Sequence, residues 1–178
     1  FGAESRVVAG IAISVVREFG VLIAGIVVAA RSGSAIAARI GTMQIAQEID
    51  ALRVMGISPV RYLVAPILVA MLIMMPLLTV LSNSLAILGG GAISVMELHI
   101  SPDAYLGRAL AAVGIQDLVQ GLSKSLVFGV LVTLVATSNG FNAAGGAEGL
   151  GRATTRSVVL SISAIVVADM IFTFFLSR

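Results

Sequence analysis

The apolar positions of this sequence gather into long blocks. A bilayer span needs about 20 mainly apolar residues, and four stretches reach that length if a few charges are tolerated: Val7 to Ala30, Tyr62 to about Leu88, Leu118 to Ser138 and Ser157 to Ser177. The second belongs to an uncharged run from Tyr62 to Met96 that contains Pro66 and Pro76 and has Gly89, Gly90 and Gly91 near its end. That run is too long for one simple span and short for two, which predicts one kinked helix followed by a glycine-broken extension. The pattern defines an all-α, polytopic helical membrane protein with about four transmembrane helices.

The polar positions between the blocks set the orientation, because arginine near span ends marks the cytoplasmic side. Arg31, Arg39, Arg53 and Arg61 lie between the first and second spans, and Arg152 and Arg156 between the third and fourth. The segment from Glu97 to Asp117 offers only Arg108 against Glu97, Asp103 and Asp117. The first and third loops are therefore cytoplasmic and the middle one faces outward. This parity also favours a single pass for the run from Tyr62 to Met96.

Composition narrows the chemistry. The chain is 58% hydrophobic and 11% charged, with a mean hydropathy of +1.09, where a soluble domain has about a quarter of its residues charged. The net charge of +2 comes from scattered residues, so no basic stripe points to nucleic acid. There is no cysteine, and His99 is the single histidine, which excludes disulfides, thiol catalysis and His or Cys metal clusters. His99, near Glu97 and Asp103, has no serine elbow or second histidine and reads as a surface residue. No catalytic residue and no metal site is expected. The chain opens on Phe1 without a signal pattern, which predicts that its natural N-terminus lies upstream.

Four ionisable residues fall inside the spans: Arg17, Glu18, Lys124 and Asp169. At 1.5 Å per helical residue, Glu18 lies roughly 20 Å from Arg31, Lys124 roughly 21 Å from Ser138 and Asp169 roughly 20 Å from Arg156. Three helices thus bring charges to one level in the outer half of the bilayer. Pairing is the cheapest way to keep ions there, so the four residues are expected to form one polar cluster. It serves either as a clamp between helices or in substrate passage and gating. The first span also carries small residues at four-residue spacing, Gly25, Ala29, Gly33, Ala37 and Gly41, a face suited to close packing, within one subunit before a dimer seam.

On the cytoplasmic side, Met43 to Met55 reads as a short amphipathic helix. Ile45, Ile49 and Leu52 share one face; Gln44, Gln47, Glu48 and Arg53 lie largely on the other. Gly56 is placed to stop the helix and Pro59 to prevent its resumption. A helix lying across the cytosolic face suits a separate motor subunit, or serves as an interfacial packing helix.

From Arg31 to Pro66 the chain reads RSGSAIAARIGTMQIAQEIDALRVMGISPVRYLVAP. This resembles the MlaE family of ABC lipid permeases: an AR-x-G step at Ala30, Arg31 and Gly33, IGTM at Ile40 to Met43, EIDAL at Glu48 to Leu52, VMG at Val54 to Gly56, and Pro59 with RYLV at Arg61 to Val64. Lys124 to Phe128 with Asn139 and Gly140, and GRATTRSV at Gly151 to Val158, extend the likeness over nearly the whole chain. Val21 departs from it, standing where the family commonly has proline after the RE-x-G step at Arg17 to Gly20. The resemblance implies that residues 1–178 are one permease domain lacking the family's N-terminal interfacial helix and first span. It implies that 43–55 is the coupling helix, with Ile45, Glu48, Ile49, Asp50, Leu52 and Arg53 meeting a cytosolic ABC ATPase. It further implies a homodimer, a STAS-domain partner and a periplasmic ring of MCE-domain proteins. The cargo would be phospholipid moved between inner and outer membranes, from a multi-pass position in the bacterial inner membrane. Arg17, Glu18, Lys124 and Asp169 match charged family positions near the lipid cavity.

No cofactor is expected on this chain. The single lysine, Lys124, follows Ser123 rather than the glycine of a Walker A loop, so ATP and magnesium would belong to the partner ATPase. Gly145 to Gly151 lacks the order of a nucleotide-binding glycine motif and reads as a flexible cytosolic connection. Two rival readings are an ion- or proton-coupled secondary transporter using the charged cluster, which would usually show an inverted repeat, and a membrane scaffold without transport.

Overall fold

A computed structural model of the chain describes residues 3–98 and 101–176, with side chains at 8–96 and 101–175. Every described element is helical: α1 (Ala3–Ser14), α2 (Gly20–Val28), α3 (Ser34–Ile45), α4 (Glu48–Val54), α5 (Ala65–Leu98), α6 (Pro102–Ala112), α7 (Ile115–Phe141) and α8 (Gly146–Leu176). Single π-helical turns at Val15–Phe19, Ala29–Gly33 and Val60–Val64 join α1 to α2, join α2 to α3, and lead into α5. Among the described residues, four helical stretches are long and apolar enough to cross a membrane: Val8–Ile45, Val60–Met96, Ile115–Phe141 and Gly146–Phe175. The protein is an all-α, polytopic membrane protein. The first stretch, of 38 residues, rises about 57 Å and outruns a hydrocarbon core of about 30 Å. His99, expected at the surface, lies outside the described residues.

The chain divides into two compact units, Phe1–Ala24 with Pro76–Ser125 and Gly25–Met75 with Leu126–Arg178. In the first, α1 lies against α6, and Val8, Ala12, Tyr105 and Ala109 form a buried cluster with Ile87, Ala104 and Val113 around it. Helix α6 occupies the arginine-poor segment, where the apolar pattern predicts no span. It starts as a short soluble helix does, with Ser101 as N-cap accepting from the Ala104 N–H at 3.4 Å and Pro102 in the first turn.

The glycines at 89–91 do not break α5, which runs unbroken through them and through Pro76. Gly90 and Gly91 form a seat for Tyr105. A Cβ on Gly91 would lie 2.8 Å from the ring, and one on Gly90 would lie 3.0 Å from the hydroxyl, which donates to the Ile87 carbonyl at 3.1 Å. Burial raises the Tyr105 pKa above its ordinary value and keeps the phenol a donor. Tyr105→Phe keeps the ring and loses the bond, an expected cost of about 1 kcal/mol; Tyr105→Ala is expected to cost about 3 kcal/mol or more. Thermal unfolding in detergent tests both, and equal midpoints for all three proteins would show that the seat is not closed in solution.

In the second unit α3 lies along α8, and the small-residue stripe is used inside the chain. Ala29 and Ala37 are fully buried. A Cβ on Gly25 would meet Phe128 at 3.0 Å, one on Gly33 would meet Val132 at 3.3 Å, and one on Gly41 would meet Leu150 at 2.7 Å.

Two loop readings need correction. Met43 to Met55 is not one helix: α3 ends at Ile45, Gln47 turns left-handed at φ 59°, and α4 begins at Glu48. The stop at Gly56 is as expected. With φ at 74° it closes α4 by bonds from the Gly56 N–H to the Arg53 carbonyl and from the Ile57 N–H to the Leu52 carbonyl, both 3.0 Å. Pro59 does not delay the next helix, since it caps the turn Val60–Val64 that leads into α5. The Gly145 to Gly151 stretch is mostly helix. Only Gly145 and Gly146 adopt positive φ, and α8 starts at Gly146, so Arg152 and Arg156 stand on its first turns.

Candidate functional site

Glu18 belongs to the π turn Val15–Phe19, where the Gly20 N–H reaches back five residues to the Val15 carbonyl. The extra residue re-aims the side chains of that turn, and such turns often mark functional sites. Helix α7 comes close to the turn at Gly121, where a Cβ would lie 2.7 Å from the Val16 carbonyl oxygen and 3.3 Å from the Val21 side chain. One turn later Lys124, 2% exposed, donates from Nζ to Glu18 Oε2 at 2.5 Å. Glu18 keeps 27% exposure. The glycine on α7 is what allows the lysine to reach. The chain runs helically past Val21, and the departure from α geometry falls in the turn before Gly20.

Of the four charged residues, Lys124 and Glu18 are in contact. Arg17 shares the turn with Glu18, and Asp169 stands on α8 in the second unit; both are engaged in interactions.

Helix α5 meets the same turn at Gly20, where a Cβ would fall 1.7 Å from Asn83 Oδ1. Asn83 and Thr79, one helical turn apart, are buried at 7% and 1% exposure. Asn83 Oδ1 and Thr79 Oγ1 make no hydrogen bond among the described residues, an unusual condition for buried polar atoms. Sequence reasoning passed over them, although two polar residues four apart in an uncharged run mark one helical face. In the second unit Ser157 and Ser161 repeat the arrangement on α8, fully buried with unbonded hydroxyls. By contrast Thr133 and Thr137 on α7 donate back to the Gly129 and Thr133 carbonyls at 2.8 and 2.7 Å.

The residues expected to meet a motor are divided. Ile45 is on the last turn of α3. Ile49 is fully buried and Leu52 partly so, packed with Ile40, Leu63, Ile67 and Phe141 in the protein's own core. Glu48, Asp50 and Arg53 face outward, with Arg53 donating to Asp50 at 2.8 Å. The large apolar side chains left exposed at the end of α4 are Val54, 89% exposed, and Met55 just after it, 64% exposed.

Four apolar spans with a pair of opposite charges between two of them are the build of a multi-pass membrane protein. Residues 1–175 match the family described as Permease MlaE, and the chain belongs to that family. It is similar to a probable ABC transporter permease of Rickettsia typhi, 34% identical over 97% of this chain and 67% of the relative. A second such permease, from Synechocystis, is 37% identical over 99% of this chain and 66% of the relative. The chloroplastic protein TRIGALACTOSYLDIACYLGLYCEROL 1 of Arabidopsis thaliana is 36% identical over 96% of this chain and 49% of its own length. The chain spans about two thirds of the two bacterial relatives and about half of the plant one.

Proposed function

We propose that this chain is the permease subunit of an ABC transporter that moves phospholipids between the inner and outer membranes of a bacterium. A separate cytosolic subunit would bind ATP and magnesium and hydrolyse the nucleotide. The observation that carries the cargo reading is the Lys124–Glu18 pair inside the spans. A phospholipid offers an anionic phosphate above apolar chains, and a buried lysine whose partner is a carboxylate can exchange that carboxylate for a phosphate oxygen at small electrostatic cost. Apolar span walls then hold the acyl chains. The relatives named as ABC transporter permeases support the class, and the plant relative, named for a galactolipid, supports a lipid cargo.

The complete assembly would hold two permease copies in the bacterial inner membrane, two ATPases, a STAS-domain protein and a periplasmic MCE ring. The motor would dock on the outward side of α4, through Val54 and Met55 rimmed by Glu48, Asp50 and Arg53, while Ile49 and Leu52 hold α4 to the permease from behind. Motor movement would tilt α4 and, through its core contacts, the spans.

The test is copurification of the full-length protein expressed from its native operon, with ATPase activity and bound lipid assayed. Wild type should bring down an ATPase and phospholipid. The variant with Val54→Asp and Met55→Asp should lose more than nine tenths of the ATPase while keeping the lipid, and Leu52→Asp should lose folded protein instead. If wild type brings down no ATPase, the ABC reading fails and a secondary transporter takes its place. If an ATPase associates but no phospholipid is bound, only the cargo is wrong.

A further inference from the structure

In the second unit a groove of about 460 Å³ opens between α3 and the start of α5, with Arg39 and Met43 on the α3 side and Tyr62, Leu63, Pro66, Ile67 and Ala70 on the other. Its floor is the buried core at Ile40 and Leu63. The distance from Tyr62 to Ala70 is about 12 Å along the helix, so the groove runs from the end of the span toward the middle of the leaflet. Tyr62 stands two residues inside the span Val60–Met96 and Arg39 six residues inside the end of Val8–Ile45. Those are the levels at which tyrosine sits in the interfacial belt and arginine snorkels to the headgroups.

The charges at this end of the spans are unequal. Asp50 is taken by Arg53 and Glu148 by Arg152. Arg39 is exposed and has no acidic partner among the described residues, and Arg61 adjoins Tyr62 in the chain. A guanidinium over an apolar furrow at headgroup depth fits a phosphate with an acyl chain beneath it, since arginine binds phosphate through two parallel hydrogen bonds.

We propose that this groove is a binding site for an anionic phospholipid of the adjoining, arginine-rich leaflet, with Arg39 taking the headgroup phosphate and Leu63, Pro66, Ile67 and Ala70 taking one acyl chain. The lipid is a resident ligand, separate from the Lys124–Glu18 site, and the proposal stands whether or not the protein transports lipid.

The 178 residues contain no tryptophan, so Ile73→Trp, one turn deeper than Ala70, gives a reporter in the full-length protein once any tryptophan outside these residues is replaced by phenylalanine. Reconstituted in vesicles of brominated phosphatidylglycerol or phosphatidylcholine, that tryptophan should be half-quenched at about a fivefold lower fraction of the anionic lipid, the effect of one basic side chain at an anionic surface. Arg39→Gln should abolish the preference and Arg39→Lys should keep part of it. A second reporter, Val166→Trp on the exposed face of α8, should show none. Added inorganic phosphate at millimolar concentration should leave the preference intact, because half of the ligand is its chain. Equal quenching by both lipids, a preference unmoved by Arg39→Gln, the same preference at Val166→Trp, or competition by phosphate alone would each overturn the proposal. So would retention of the preference with loss of a bound cytosolic subunit in Arg39→Gln, which would make the groove a protein seat.

Discussion

Glu18→Leu is expected to destabilise the protein more than Lys124→Met, although each removes one half of the same ion pair. The reason is unequal burial. Removing Glu18 strands an ammonium that is 2% exposed, whereas removing Lys124 strands a carboxylate that keeps 27% exposure. Breaking a buried pair from one side costs about 3–5 kcal/mol, and the stranded lysine belongs at the upper end and the stranded glutamate at or below the lower. The double variant, which removes both charges of the pair, should recover most of the loss, so the two effects should be far from additive. Unfolding midpoints of the four proteins in detergent decide this, and additive losses would mean that the pair does not exist in solution. The double variant also separates a clamp from a gate. If it is stable and still moves lipid, the pair only holds helices together; if it is stable and inactive, the charges take part in transport.

Gly121→Ala is expected to cost about 1–3 kcal/mol, against the usual gain from placing alanine in a helix. The added carbon would fall 2.7 Å from the Val16 carbonyl oxygen, a backbone atom held in the turn that carries Glu18, so the turn or α7 has to move. Gly89→Ala is the matched control. It too lies inside a long helix, but nothing stands within 4 Å of its Cβ, and alanine there should stabilise by about 0.5–1 kcal/mol. A rise in stability for both variants would show that α7 does not press on the turn.

The spans were legible because lipid demands length and apolarity of every helix that crosses it, and both are visible in the letters alone. The Glu18–Lys124 contact was legible for a related reason: a fixed rise per residue turns distance along the chain into depth. What failed was the local backbone. Gln47 has no strong preference for the left-handed region, so nothing announced the corner between α3 and α4. Gly89 to Gly91 looked like a break because glycine weakens helices in water. In a bilayer the backbone must satisfy its own hydrogen bonds, and the helix persists. The amphipathic pattern around α4 located its apolar face and was silent on what covers it; Ile49 and Leu52 turned out to meet their own core. Helix α6 carried its start signal in Ser101, Pro102 and Asp103 but had no span-length block to draw attention to it. The π turns left no mark in the sequence.

Glu18 and Lys124 are separated by 106 positions in the chain. A ribosome adding about 5–20 residues per second delivers the lysine roughly 5–20 s after the glutamate, by which time the first span has already left the tunnel. The helix that carries Glu18 therefore takes its carboxylate into the bilayer before Lys124 has been synthesised. The order of synthesis leaves the Glu18 helix without its lysine partner until α7 arrives.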